Sequence, residues 1–283
     1  MNGKSQSIVK IQKERQLIST VLGAGSLTIE RLSEKIQKRW RVWRHYPSDA
    51  SPISGYNQEQ EAVRKASSIV MSHTMLPLSR LASLWAQVRH VDRHSIAGSL
   101  VECGVWKGGA AGLMALAHLH NQTPPSRDLH LFDSWEGMPE PRAEVDGQRA
   151  SNYASGQASG ALKPVGQCLS SMVEASDLLD VTIGYPRNLL HYYKGWFQET
   201  IAKNARSLEP IALLRLDGDW YDSTKICLEE LYPRVSKNGV VVIDDYWDWA
   251  GCRLAVDEFI AGLPTPIRLH NVEHSCPYWI KPD

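Results

Sequence analysis

The sequence predicts an α/β fold, a doubly wound and mostly parallel sheet with helices on both faces, and three observations carry that expectation. From residue 99 onward, short apolar runs alternate with stretches of helical periodicity, the pattern of successive strand–helix units. Two of those runs, within 213–216 and 239–243, hold the apolar, largely branched residues of strands buried on both faces. Both end abruptly in carboxylates, Asp217-Gly218-Asp219 and Asp244-Asp245, and the ligand crevice of an open α/β sheet lies just beyond such strand ends.

Ahead of the sheet, residues 8–46 read as patchily helical. Leu27, Ile29, Leu32 and Ile36 are spaced for one apolar face, and Trp40 and Trp43 read as packing residues. Residues 47–55 are a linker by composition, and 58–72 read as helix. Pro77 interrupts the pattern, which Leu78, Leu81, Trp85, Val88 and Val91 resume as an amphipathic helix. Residues 99–105 form the first expected strand, and Gly108-Gly109 opens an Ala- and Leu-rich helix to about 120. A second strand covers 128–133 and a third 189–194, with a helix over 165–181 between them. A helix over 223–235 joins the two acidic strands, another covers 254–261, and 267–272 with 277–281 form a closing antiparallel pair. The intervening stretch 139–164 is rich in Gly, Ala, Ser and polar residues without clear periodicity, which reads as an irregular functional loop or lid. The expected division is a basic helical extension and linker over 1–56 and an α/β domain over 57–283.

A hydrophobic content of 43% and a charged content of 22% are those of an ordinary globule, and no apolar run is long enough to span a bilayer. The N-terminus lacks the basic-then-apolar pattern of a signal peptide. Cys103, Cys168, Cys227, Cys252 and Cys276 stand alone, without the paired spacing of zinc or redox motifs, so a reduced, cytoplasmic protein is expected. The zero net charge hides a basic segment, with ten Lys or Arg against three Glu in residues 1–48. Such a segment suits a solvated helical face or a homo-oligomer contact. It has no interleaved aromatics for stacking bases, so neither nucleic acid nor membrane is an expected partner.

If the two acidic strands are neighbours, Asp217, Asp244 and Asp245 converge, and their mutual repulsion is relieved by a hard divalent cation. The alternative is that Asp217-Gly218-Asp219 is a turn and Asp244 or Asp245 a helix cap. The turn of residues 102–109 lacks both the dinucleotide fingerprint and the phosphate-loop Gly-Lys-Ser/Thr. Glu102 and Gly104, an acidic strand end and a glycine that admits a ligand to the backbone, suit a nucleoside bearing an amino acid. Asp133 stands where a carboxylate accepts both ribose hydroxyls, or it caps a helix. Trp196 covers an adenine face, or it is core. Their succession at three strand ends points to S-adenosylmethionine. His73, His90 and His94 read as surface or packing residues, and Trp220, Tyr221 and Trp247 either line an acceptor site or pack.

Five ordered motifs resemble one family. They are Val101-Glu102-Cys103-Gly104-Val105-Trp106-Lys107-Gly108-Gly109, Phe132-Asp133-Ser134-Trp135-Glu136-Gly137-Met138-Pro139, Lys194-Gly195-Trp196-Phe197-Gln198-Glu199-Thr200, Leu216-Asp217-Gly218-Asp219-Trp220-Tyr221 and Ile243-Asp244-Asp245-Tyr246. Together they resemble the macrocin-type (TylF-like) O-methyltransferases, metal-dependent enzymes acting on sugar hydroxyls of natural products, from about His73 to the C-terminus. The resemblance implies a class I methyltransferase fold with a seven-stranded sheet, S-adenosylmethionine and Mg²⁺ as cofactors, and a small glycosylated acceptor. It implies Asp217, Asp244 and Asp245 as metal ligands, with Asp219 as the general base beside Asp217. The donor would lie against Glu102, Gly104, Val105, Trp106, Asp133, Ser134, Gly195 and Trp196, and Thr74-Met75 would be a lid over it. Asp219 can equally be turn chemistry.

Two rivals differ in class. Asp217-Gly218-Asp219 also resembles the metal motif of nucleotide-sugar glycosyltransferases. A non-catalytic cofactor-binding protein is the other, and it has no need of three converging carboxylates and a base.

Overall fold

A computed structural model of the chain describes residues 59–120, 124–208, 210–272 and 276–282. The expectations for the basic segment, the Trp40 and Trp43 pair and the linker lie outside the described residues.

Two helices, α1 (Gln60–Val70) and α2 (Leu78–Arg93), precede the sheet. Then follow β1 (Ser99–Cys103), α3 (Gly109–Leu119), β2 (Leu129–Asp133), α4 (Ala143–Tyr153), α5 (Met172–Ser176) and β3 (Leu190–Lys194). The second half runs α6 (Phe197–Asn204), β4 (Ile211–Leu216), α7 (Tyr221–Leu231), β5 (Val235–Ile243), α8 (Ala250–Gly262), β6 (His270–Val272) and β7 (Cys276–Ile280). The strands form one sheet in the order β3-β2-β1-β4-β5-β7-β6. β1 to β5 pair in parallel, and β7 runs antiparallel to both β5 and β6. This seven-stranded, mostly parallel sheet is the class I methyltransferase architecture. The strand order reverses between β1 and β4, which opens a crevice at their carboxyl ends.

Period-2 alternation sorts each central strand between two cores. Leu100, Leu213, Val240 and Val242 join Val63 and Val70 of α1, Trp85 and Val88 of α2, and Met114 of α3 on one face. Val101, Leu214, Val241 and Ile243 join Ile201 of α6, Leu228 of α7 and Val256 of α8 on the other. Among the described residues, no helix is long and apolar enough to cross a membrane.

Two expectations need correction. Residues 139–164 are not structureless: they contain α4, and the bridges Pro139↔Pro164 and Arg142↔Ser159 close the excursion at its base. The helical period is hidden because α4 breaks at Gly147 (φ 79°, ψ 179°). What holds it is Asp146, whose buried carboxylate accepts hydrogen bonds from the amides of Arg142 and Tyr221, both at 2.7 Å. The helix expected over 165–181 begins only at Met172. Ser171 and Glu174 form a reciprocal capping box there, and the chain continues as a π-helical turn over Asp177–Thr182.

Candidate active site

A cavity of about 250 Å³ opens at the carboxyl ends of β1 to β5, and every residue expected as a metal ligand, base or cofactor contact lines it. On its β1–β3 side, β1 runs into a turn with Gly104 at φ 90°, where an added Cβ would collide with the Asp217 carbonyl. Gly109 meets the His73 carbonyl in the same way, so the Thr74-Met75 segment sits directly against this turn. Thr74 Oγ1 accepts from the Leu76 amide at 3.1 Å, while Met75 is 69% exposed.

Asp133, at the tip of β2, accepts three backbone hydrogen bonds. Oδ2 takes the amides of Val105 (2.7 Å) and Trp106 (2.8 Å), and Oδ1 takes that of Trp135 (2.6 Å). Trp106 and Trp135 both adopt the left-handed conformation (φ 50°), so one carboxylate pins two strained turns. A carboxylate has about four lone-pair sites, so Asp133 retains about one for a ligand. Ser134 fixes the second turn by donating to the Gly137 carbonyl at 2.8 Å. The Gly195 amide donates to the Asp133 carbonyl at 2.9 Å, which brings Trp196, at the start of α6, to the same cavity.

The acidic side follows from strand register. Leu216 pairs with Ile243, and the Asp244 amide donates to the Leu216 carbonyl at 2.9 Å, so the residues after each strand face one another. One oxygen each of Asp217, Asp244 and Asp245 lies within 4.8 Å of the others. Asp219 adopts the left-handed conformation (φ 54°), and its amide donates to Asp245 Oδ2 at 3.1 Å. Burial, then the charges of neighbouring carboxylates, push Asp219 and Asp245 well above the usual carboxylate range and raise Asp244 as well.

Two arginines that the sequence reading passed over face this cluster. Arg215, in β4 and 2% exposed, donates from Nη1 to Glu102 Oε1 (2.7 Å) and Asp217 Oδ2 (2.9 Å). Its Nη2 lies 3.1 Å from Asp244 Oδ1, an ion-pair contact without hydrogen-bond geometry. Arg80 of α2 donates to Asp244 Oδ2 (3.1 Å) and Asp248 Oδ2 (3.0 Å). Glu102 is 1% exposed, its Oε2 has no hydrogen-bond partner among the described residues, and burial pushes its carboxyl up to about 8 against the pull of Arg215. Among the described residues, six carboxylates (Glu102, Asp133, Asp217, Asp219, Asp244, Asp245) thus line the cavity with two guanidinium groups. That all-oxygen, under-neutralised set fits a hard divalent cation.

A signal for Arg215 was present: it is a charge inside an otherwise apolar, buried strand, where an unpaired charge is prohibitive. His73, read as a surface or packing residue, lines the cavity. Trp220 and Tyr221 do not. Trp220 is 2% exposed, donates to the Pro139 carbonyl at 2.9 Å and packs with Met138, Ala150, Ala154 and Val165. Tyr221 donates its hydroxyl to Glu258, and Trp247 stands outside the lining.

Fold and cavity define a class I methyltransferase with an acidic pocket beside the glycine turn of β1. A family model described as Macrocin-O-methyltransferase (TylF) matches residues 16–281, and the chain belongs to that family. The match begins well ahead of the first of the five motifs. The chain is 37% identical over 205 residues to the 8-demethyl-8-(2,3-dimethoxy-alpha-L-rhamnosyl)-tetracenomycin-C 4'-O-methyltransferase of Streptomyces olivaceus, covering 70% of this chain and 72% of that protein. It is 31% identical over 210 residues to the demethyldecarbamoylnovobiocin O-methyltransferase of Streptomyces niveus, covering 74% and 75%. The solved O-methyltransferase NovP superposes with a TM-score of 0.63 at 28% identity, covering 75% of this chain and 83% of that one. The protein is an O-methyltransferase, which sets aside the glycosyltransferase reading of Asp217-Gly218-Asp219 and the non-catalytic one.

Proposed function

We propose that this enzyme transfers the methyl group of S-adenosylmethionine to a sugar hydroxyl of a glycosylated natural product, in a reaction dependent on Mg²⁺. The observation that carries the reading is one cavity in which Asp217, Asp244 and Asp245 converge beside the glycine turn of β1 and the Asp133 carboxylate. The acceptor class is supported by the relatives' names, one a rhamnosyl tetracenomycin and another demethyldecarbamoylnovobiocin.

When bound, Mg²⁺ lowers the pKa of an adjacent hydroxyl and S-adenosylmethionine offers an electrophilic methyl group. Asp217, Asp244 and Asp245 would hold the cation through carboxylate oxygens, the hard ligands such an ion takes. Asp219, two residues into the turn and tied by its amide to Asp245, accepts the acceptor's proton. Asp217 is the second catalytic group, as the cation ligand on the same turn as the base. Gly104 and Val105 let the donor approach the backbone, and Glu102 Oε2 offers an open acceptor to its amino group. Asp133 accepts one ribose hydroxyl with its remaining lone pair rather than both. Trp106 and Trp196 would pack against the donor's adenine, Ser134 and Gly195 would shape its floor, and Thr74 and Met75 would cover it. Holding oxygen, methyl carbon and sulfur in line supplies much of the remaining acceleration.

We also assign residues 57–283 to the transferase domain and 1–56 to a basic extension, the latter a candidate for self-association. A cytoplasmic setting is supported by the unpaired cysteines, of which Cys103, Cys227, Cys252 and Cys276 are buried. The test is incubation with isotope-labelled S-adenosylmethionine and matched pairs of glycosylated and sugar-free polyketides, read by mass spectrometry. Label on the sugar supports the proposal; label confined to the aglycone, or undiminished transfer after EDTA treatment, overturns it.

A further inference from the structure

We propose that Arg215 is a positioning residue that links the two halves of the site, so that the donor and the cation each tighten the other's binding. The inference rests on the donor and cation reading above.

Arg215 stands opposite Glu102 in the β1–β4 register and opposite Val242 in the β4–β5 register, in the middle of the three strands that build the cavity. Its guanidinium is a rigid planar fork whose N–H directions are fixed. Nη1 is divided between Glu102 on the donor side and Asp217 on the cation side, while Nη2 faces Asp244. A purely structural ion pair would need only one carboxylate, with its atoms satisfied. Here Glu102 Oε2 and Arg215 Nη2 are both buried without a hydrogen bond, a state that folding alone leaves unrelieved. Those two atoms, of which Nη2 has only its ion-pair contact with Asp244, lie on the residues that join the two subsites.

The direction of the link follows from charge. A cation taken up by Asp217 and Asp244 draws their negative charge away from the guanidinium. Nη1 is then left to Glu102, which is held more firmly where the donor's amino group meets it. By linkage, the donor must tighten cation binding by the same factor. Lysine keeps the charge at this position but has a single point of attachment, and it cannot span Glu102, Asp217 and Asp244 together.

The test is calorimetry on the full chain with S-adenosylhomocysteine and Mg²⁺ as probes, each titrated with and without the other, alongside thermal melts. The parent protein should bind S-adenosylhomocysteine at least about 5-fold more tightly with saturating Mg²⁺, and Mg²⁺ more tightly by the same factor with S-adenosylhomocysteine. In Arg215→Lys, which retains the buried charge needed for folding, that factor should fall to about one and donor-free Mg²⁺ affinity should drop about 10–100-fold. Glu102→Gln, which contacts none of the cation's carboxylates, should also lose the linkage yet keep donor-free Mg²⁺ affinity within a few-fold. A parent that binds both probes without linkage, or a linkage that survives in Arg215→Lys, overturns this inference alone. A parent that binds neither overturns the donor and cation reading together with it.

Discussion

The Asp219 amide donates to Asp245 Oδ2 at 3.1 Å, tying the turn after β4 to the carboxylate pair after β5. Asp219 holds left-handed geometry (φ 54°) two residues beyond Asp217, and the proposed mechanism gives it the base's task and Asp217 the cation's. Asp219→Asn keeps the shape and the amide but cannot take a proton. Turnover should fall about 10²–10⁴-fold with Mg²⁺ and S-adenosylhomocysteine affinities within a few-fold of the parent, measured by single-turnover kinetics and calorimetry. A nearly active Asp219→Asn would mean that another group is the base.

Asp133 is both a ligand candidate and the pin of two left-handed turns. Asp133→Ala should weaken S-adenosylhomocysteine binding by about 1.5–3 kcal/mol, the range for hydrogen bonds to a charged group. It should also lower the thermal midpoint, because the amides of Val105, Trp106 and Trp135 lose their acceptor. Unchanged affinity together with a lowered midpoint would confine Asp133 to the structural task.

Trp220 is core, not acceptor site. Trp220→Ala should destabilise the protein by about 3–5 kcal/mol, measured as a shift in urea midpoint, with donor affinity preserved. A raised KM for the acceptor without loss of stability would restore the acceptor-site reading.

Glu59, ahead of α1, accepts hydrogen bonds from Arg89, Arg93 and Trp85. Burial opposes its ionisation, but hydrogen bonds from Arg89 and Trp85 and the charges of Arg89 and Arg93 prevail and lower its carboxyl from 4.5 to about 2. The folded state therefore binds this proton less readily than the unfolded chain. The associated stability is present above about pH 4.5 and is lost as pH falls toward 2. Glu59→Gln should cost about 1.5–3 kcal/mol at neutral pH. It should also flatten the decline in urea midpoint on acidification, and an unaltered acid profile would contradict the assignment.

What the sequence disclosed tracks how local each signal is. The sheet was legible because Val240, Val241, Val242 and Ile243 are apolar on both faces, as a central parallel strand requires. Asp217, Asp244 and Asp245 were legible because they terminate such strands. The partners of Arg215 were not, since Glu102 precedes it by 113 positions and only strand order brings the two together. Helix α4 was hidden by the break at Gly147 and by dependence on Asp146, whose second acceptor contact is with Tyr221, 75 positions away. Trp220 stayed open between acceptor site and packing because adjacency to an acidic motif says nothing of which way an indole points. Its direction is set by the Pro139 carbonyl across the excursion.

Cation binding by Asp217, Asp244 and Asp245 is tested most directly by titrating Mg²⁺ into EDTA-treated protein in a calorimeter, for the parent and for Asp244→Asn. The parent should bind one Mg²⁺ per chain, and Asp244→Asn should show no binding heat while keeping its fold by circular dichroism. An Asp244→Asn protein that binds Mg²⁺ as the parent does, or a folded parent that binds none, would contradict a catalytic cation at these three carboxylates.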